Sequence, residues 1–209
     1  MCRLFSCLLS LTLLASCANV PSDFKFDPTK PNGLVVGSIS YESGLARFFL
    51  VAKSTTTGKT VEFAFGCALV PCLQPSDEPR FSKGEVPTQR GGGFAIEVPE
   101  GSYTISSWRV ARGYMISRSN IPIGIEFTVA RGKASYIGNL HFDADWENVT
   151  LRDKSRRDLP LLREQYPVLQ SVELAFTIAP DAVVPRLGGN YQTGIEPPSM
   201  PIYVPVIKR

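Results

Sequence analysis

Gly92-Gly93-Phe94-Ala95-Ile96-Glu97-Val98-Pro99-Glu100-Gly101-Ser102-Tyr103-Thr104-Ile105 is the stretch whose reading decides the fold class. Phe94, Ile96 and Val98 recur at every second position, which puts them on one face of an extended strand. Pro99 suits the second position of a type I turn and Gly101 the fourth. Tyr103 and Ile105 then restart the alternation, so the stretch reads as two strands joined in a hairpin. On either side, the chain breaks into short apolar or alternating runs between turn residues. Strands are expected at Leu34 to Tyr41, Ala46 to Lys53, Thr60 to Phe65, Gly93 to Val98, Ser102 to Val110, Gly124 to Val129, Ala134 to Phe142 and Val172 to Ile178. Thr55-Thr56-Thr57-Gly58-Lys59 and Ala130-Arg131-Gly132-Lys133 are further connections of hairpin type, each with a glycine free to take positive φ. Many short strands, with 17 Pro and 17 Gly between them, predict an all-β antiparallel sandwich with one short helix and an extended C-terminal tail.

Written as GxFxIxVPxGxYxI, the opening stretch resembles a hairpin of the carboxypeptidase regulatory-like and prealbumin-like β-sandwich domains, modules common in secreted and surface proteins. The resemblance covers fourteen residues of the 209. It implies a prealbumin- or Ig-like sandwich of structural or adhesive character, and no catalytic residue. Phe127 to Gly138 is similar, more loosely, to a hairpin of small bacterial lipoproteins with this fold.

The N-terminus speaks to compartment. Arg3 precedes an apolar run of eleven residues, Leu4 to Leu14. A membrane-spanning helix needs roughly 20 apolar residues, so this is the core of a signal peptide. Leu14-Ala15-Ser16-Cys17 follows and resembles the lipobox of bacterial lipoprotein precursors, in which the cysteine is acylated and becomes the mature N-terminus. The expected organisation is a signal peptide over residues 1–16, a lipidated tether over 17–33, a β-sandwich over 34–180 and a Pro-rich tail over 181–209. Ala18 stands where an aspartate would resemble an inner-membrane retention signal, so the expected address is the outer membrane of a Gram-negative cell. A formal charge of +3 is too balanced for nucleic acid.

Cys2 and Cys7 leave with the signal and Cys17 is acylated, which leaves Cys67 and Cys72 to close a small disulfide loop in an oxidising compartment. One helix is expected, capped by Asp158, with Leu159-Pro160 in its first turn and Pro167 as its stop. Catalysis by a serine or cysteine nucleophile normally recruits a histidine base, and the chain has one histidine. The alternation in that strand places Asn139, His141, Asp143 and Asp145 on a solvated face, opposite Leu140, Phe142, Ala144 and Trp146. The alternative is a divalent-metal site on His141, Asp143 and Asp145. Trp108, Trp146, Tyr103, Tyr114 and Tyr136 are expected in the core, with a sugar-stacking platform as the alternative. The cations Arg152, Lys154, Arg156, Arg157 and Arg163 read as a solubilising surface. In the tail, Ile202, Tyr203, Val204, Val206 and Ile207 are too apolar for a solvated end; they either dock on the domain or add a strand to a partner. The resulting expectation is a non-enzymatic binding or scaffold lipoprotein that meets the membrane through its lipid and an envelope protein as partner, without a cofactor.

Overall fold

The computed structural model describes residues 19–42, 46–66, 90–112, 115–120, 122–143, 148–187 and 191–195. Twelve strands and one helix follow in chain order: β1 Asn32–Tyr41, β2 Arg47–Ser54, β3 Thr60–Gly66, β4 Arg90–Pro99, β5 Gly101–Arg112, β6 Met115–Ser119, β7 Ile125–Val129, β8 Ala134–Phe142, β9 Val149–Arg152, α1 Ser155–Gln165, β10 Leu174–Phe176, β11 Val183–Val184 and β12 Tyr191–Ile195. They form a sandwich of two six-stranded sheets, ordered β11-β9-β8-β1-β4 with β10 also on β8, and β12-β6-β5-β2-β3 with β7 also on β5. The all-β sandwich expected from the alternation is therefore present. Pairing is mostly antiparallel, but the centre of the first sheet is not: β1 runs parallel to β8, and so does β10.

The stretch that decided the fold class is not a hairpin. β4 pairs with β1 in the first sheet, whereas β5 pairs with β2, β6 and β7 in the second. Glu100 carries the chain across from one sheet to the other, and the two strands meet through side chains, since Phe94, Ile96, Val98, Tyr103 and Ile105 all enter the core between the sheets. Gly101 makes the crossing with φ +147, a conformation that an L side chain resists. The arch is pinned by the Tyr103 hydroxyl, which donates to the Pro99 carbonyl at 2.8 Å. Ala130 to Lys133 is likewise a crossing, from β7 in the second sheet to β8 in the first. Of the three connections expected to be hairpins, Thr55 to Lys59 is one, between β2 and β3; β5 with β6 and β8 with β9 are also consecutive antiparallel pairs.

The inter-sheet core is aromatic. Phe48 packs on Tyr41 and Phe142, Trp108 meets Phe142 edge-on, and Phe63 stacks on Phe94. Trp108, Tyr103 and Tyr136 are all buried, which removes them from any sugar-stacking platform; Trp146 and Tyr114 lie outside the described residues. The Trp108 indole N–H donates to the Leu187 carbonyl at 2.8 Å, tying the C-terminal segment to the core.

Helix α1 lies on the other side of the first sheet, over β1, β4 and β8, where a second cluster joins Leu162, Tyr166 and Leu169 to Leu34, Val36 and Ala95. Its start differs from expectation. The helix begins at Ser155, three residues before Asp158, with Lys154 at its N-cap, and the Asp153 carboxylate receives the Ser155 N–H at 2.9 Å. Pro160 falls inside the helix instead of opening it, and Asp158, freed from capping, turns into the sheet.

Described parts of the segments expected as tether and tail join the sheets. Val20 is buried against the second cluster, Phe24 and Phe26 pack beside it, and Val20 bonds to β4. Beyond residue 180, β11 pairs with β9 and β12 with β6.

Candidate functional site

The outer face of the first sheet carries the most chemistry among the described residues. Along β1 the outward residues run Leu34, Val36, Ser38, Ser40, from apolar to polar; along β8 they run Ala134, Tyr136, Asn139, His141 in the same sense. Antiparallel strands would have opposed these gradients, but parallel pairing superimposes them. The two polar ends therefore lie together. Tyr136 and Asn139 share this face only because the register slips one residue at Gly138, whose φ of +99 marks the bulge. A Cβ there would meet the Ile178 side chain at 2.9 Å and the Arg152 carbonyl at 3.0 Å. The helix face matches the sheet below it, with Leu162 and Tyr166 over the apolar end and Asp158 over the polar end.

Continuous hydrogen bonding results. The Tyr136 hydroxyl donates to Asp158 Oδ2 at 2.7 Å and the Ser38 hydroxyl donates to the same oxygen at 2.6 Å. Asn139 Nδ2 donates to Ser38 Oγ at 2.7 Å. Ser40 Oγ lies 3.0 Å from Asn139 Oδ1 and 2.9 Å from His141 Nδ1, and His141 Nε2 lies 3.3 Å from Glu42 Oε1. Arg157 Nε donates to Asp158 Oδ1 at 2.8 Å. Burial, reinforced by the Asp158 carboxylate, pushes the Tyr136 phenol far above its ordinary value. Burial also lowers the His141 pKa, helped by Arg152 and opposed by the bond to Glu42. Asn139 Oδ1 can only accept, so the one Ser40 hydroxyl proton is shared between two acceptors whenever a neutral imidazole carries its own proton on Nε2, toward Glu42, and offers Nδ1 to Ser40.

His141 therefore does not stand on a solvated face. It is 1% exposed, beneath a layer that sequence alternation alone does not reveal. Ser40, His141 and Glu42 have the partners of a nucleophile relay, but Ser40 is 0% exposed, so its hydroxyl faces the protein. For the metal alternative, both His141 nitrogens already meet protein partners, and Asp143 Oδ2 accepts the backbone N–H and side-chain Nδ2–H of Asn148 at 3.1 and 2.8 Å. Among the described residues, no three His, Cys, Asp or Glu side chains are grouped as a metal requires. Asp145 lies outside the described residues, as do Cys17, Cys67, Cys72, Ile202, Tyr203, Val204, Val206 and Ile207.

The expected cation surface divides. Arg157 turns inward to Asp158, Arg152 Nε donates to Thr150 at 2.8 Å, and Arg156 pairs with Asp181 in solvent. A different cationic group sits on the outer face of the second sheet, where the Arg47 and Arg109 guanidinium carbons lie 5.1 and 4.2 Å from the centre of the Phe49 ring. Arg109 is also paired with Glu62 at 3.3 Å.

No protein-family model matches this chain, and no curated protein does. Among solved structures, a leucine-rich repeat protein from Bacteroides thetaiotaomicron aligns with 56% of this chain and 14% of its own, at 15% identity and a TM-score of 0.33. At those values the alignment carries no argument about fold or activity.

Proposed function

We propose that the chain is a bacterial lipoprotein, acylated on Cys17 and held at the outer membrane, that serves as a non-enzymatic binding or scaffold module of the cell envelope. The observation that carries this reading is Leu14-Ala15-Ser16-Cys17 directly after an apolar run too short to span a bilayer. No helix among the described residues is long and apolar enough to cross a membrane; in this reading lipid on Cys17 supplies the attachment. Chains of this kind contribute about 0.8 kcal/mol per buried methylene.

The motif from Gly92 to Ile105 and the sandwich favour a structural or adhesive module of the carboxypeptidase regulatory-like or prealbumin-like kind. The engagement of His141 on both nitrogens and the burial of Ser40 favour a scaffolding role for those residues over catalysis. Cys67 and Cys72 form a disulfide in this reading, and Ile202, Tyr203, Val204, Val206 and Ile207 form the segment offered to a protein partner.

Mass spectrometry of the protein from membranes tests the anchor. Acyl chains on Cys17, and loss of both mass shift and membrane association in Cys17→Ala, are the expected results; an unmodified Cys17 overturns the reading. Crosslinking in living cells tests the partner, with a truncation after Ile195 that keeps β12. A crosslink that survives this truncation removes the tail from the proposal.

A further inference from the structure

Residues 17–33 read from sequence as a spacer, and as a flexible chain such a segment would let the domain stand roughly 20 Å from its anchor. In the structure residues 19–33 are part of the fold. Val20 N–H donates to the Ala95 carbonyl at 2.8 Å, and Asn19 Oδ1 accepts the Ala95 N–H at 3.1 Å. These bonds satisfy both backbone groups of Ala95 on the side of β4 that no other strand pairs among the described residues. Val20 is buried among Leu34, Val36 and Leu162, with Phe24 and Phe26 behind it. At its far end the Pro31 carbonyl accepts the Glu100 N–H at 2.7 Å, beside the arch, and Arg131 donates to the Pro28 carbonyl.

We infer that this segment is a clip and not a spacer, and that it holds the β4 and α1 side of the sandwich against the lipid headgroup surface. The inference rests on the acylation of Cys17 proposed above. Ala18 alone separates the anchor from Asn19, and two extended residues reach about 7 Å. That distance is within the depth of a headgroup layer, so no aqueous gap fits between membrane and fold. The surface engaged is a lipid surface because Asn19, two residues from the proposed anchor, is bonded to this edge of the domain. Orientation is fixed as well as height, since two hydrogen bonds and a buried valine allow little swivel.

Neutron reflectometry of the full acylated protein in a supported bilayer tests this, beside a variant carrying a sixteen-residue Gly/Ser insertion between Ala18 and Asn19. The wild type is expected to form a protein layer in contact with the headgroups, and the insertion to open a water layer of roughly 20 Å. A second variant, Val20→Asp with Asn19→Ala, should give an intermediate, broadened layer. An acylated wild type that stands off as far as the insertion variant overturns the clip and leaves the lipoprotein reading intact. An insertion variant that stays in contact also overturns it, because the face would then adhere without the clip. Absence of acyl chains from the same sample by mass spectrometry overturns both.

Discussion

The two faces of the first sheet are buried to the same degree by opposite means. Its inner face, with Phe94, Ile96, Ile137 and Phe142, meets the second sheet in an aromatic core whose side chains on this sheet are apolar. Its outer face, at the end carrying Ser38, Ser40, Asn139 and His141, meets α1 through side chains that bond one another from Tyr136 to Glu42. Apolar burial is non-directional, and its loss scales with the volume removed. A buried polar chain is directional, and its loss scales with how many neighbours are left without a partner. The inner face therefore sets how stable the sandwich is, and the outer face sets where α1 sits.

The largest effect should come from Phe142→Ala, which empties a site packed by Phe48 and Trp108; chemical denaturation should show a loss of about 3–5 kcal/mol. Asp158→Ala tests the other face. It removes the one carboxylate that Tyr136, Ser38 and Arg157 share, and should cost about 3 kcal/mol, with hydrogen exchange accelerated in α1 more than in β5. A uniform loss of protection would break the distinction between the faces.

Acid should distinguish them further. The folded chain holds a proton on His141 less tightly than the unfolded chain does, so the stability linked to this group is complete above its ordinary pKa of about 6.5 and drains away as the pH falls below it. Thermal melts of the wild type at pH 7.5 and pH 5.5 should differ more than those of His141→Gln, and equal shifts in both proteins would contradict the assignment. The smallest effect belongs to Ser40→Ala, about 1 kcal/mol, because His141 keeps its bond to Glu42.

Sequence alternation located most of the strands and the aromatic core, because period two is a local property of each segment. Which strands pair is not local. Thr55 to Lys59 and Pro99 to Gly101 both look like turns between alternating runs, yet the first joins neighbours in one sheet and the second changes sheets. The positions that enter the core are equally apolar in a hairpin and in an arch; only the hydrogen-bond partners differ. The polar chain was hidden for two further reasons. The bulge at Gly138 resets the alternation, so Tyr136 joins a face that counting by twos denies it, and the parallel neighbour that completes the face is 101 residues away, at Ser38. Asp158 looked like a cap because aspartate before an apolar run usually is one; the helix instead starts three residues earlier, with Lys154 at its N-cap. The short strands β6, β9, β11 and β12 carry too few apolar positions to register any period.

The parallel pairing of β1 with β8 also sets a timetable. Among the described strands β1 is the first to be synthesised, but its antiparallel neighbour β4 and its parallel neighbour β8 come much later. Long-range contacts of this kind slow folding, because loop entropy is lost before the contacts form. Until Phe142 has been made, β1 remains an apolar strand with one edge open.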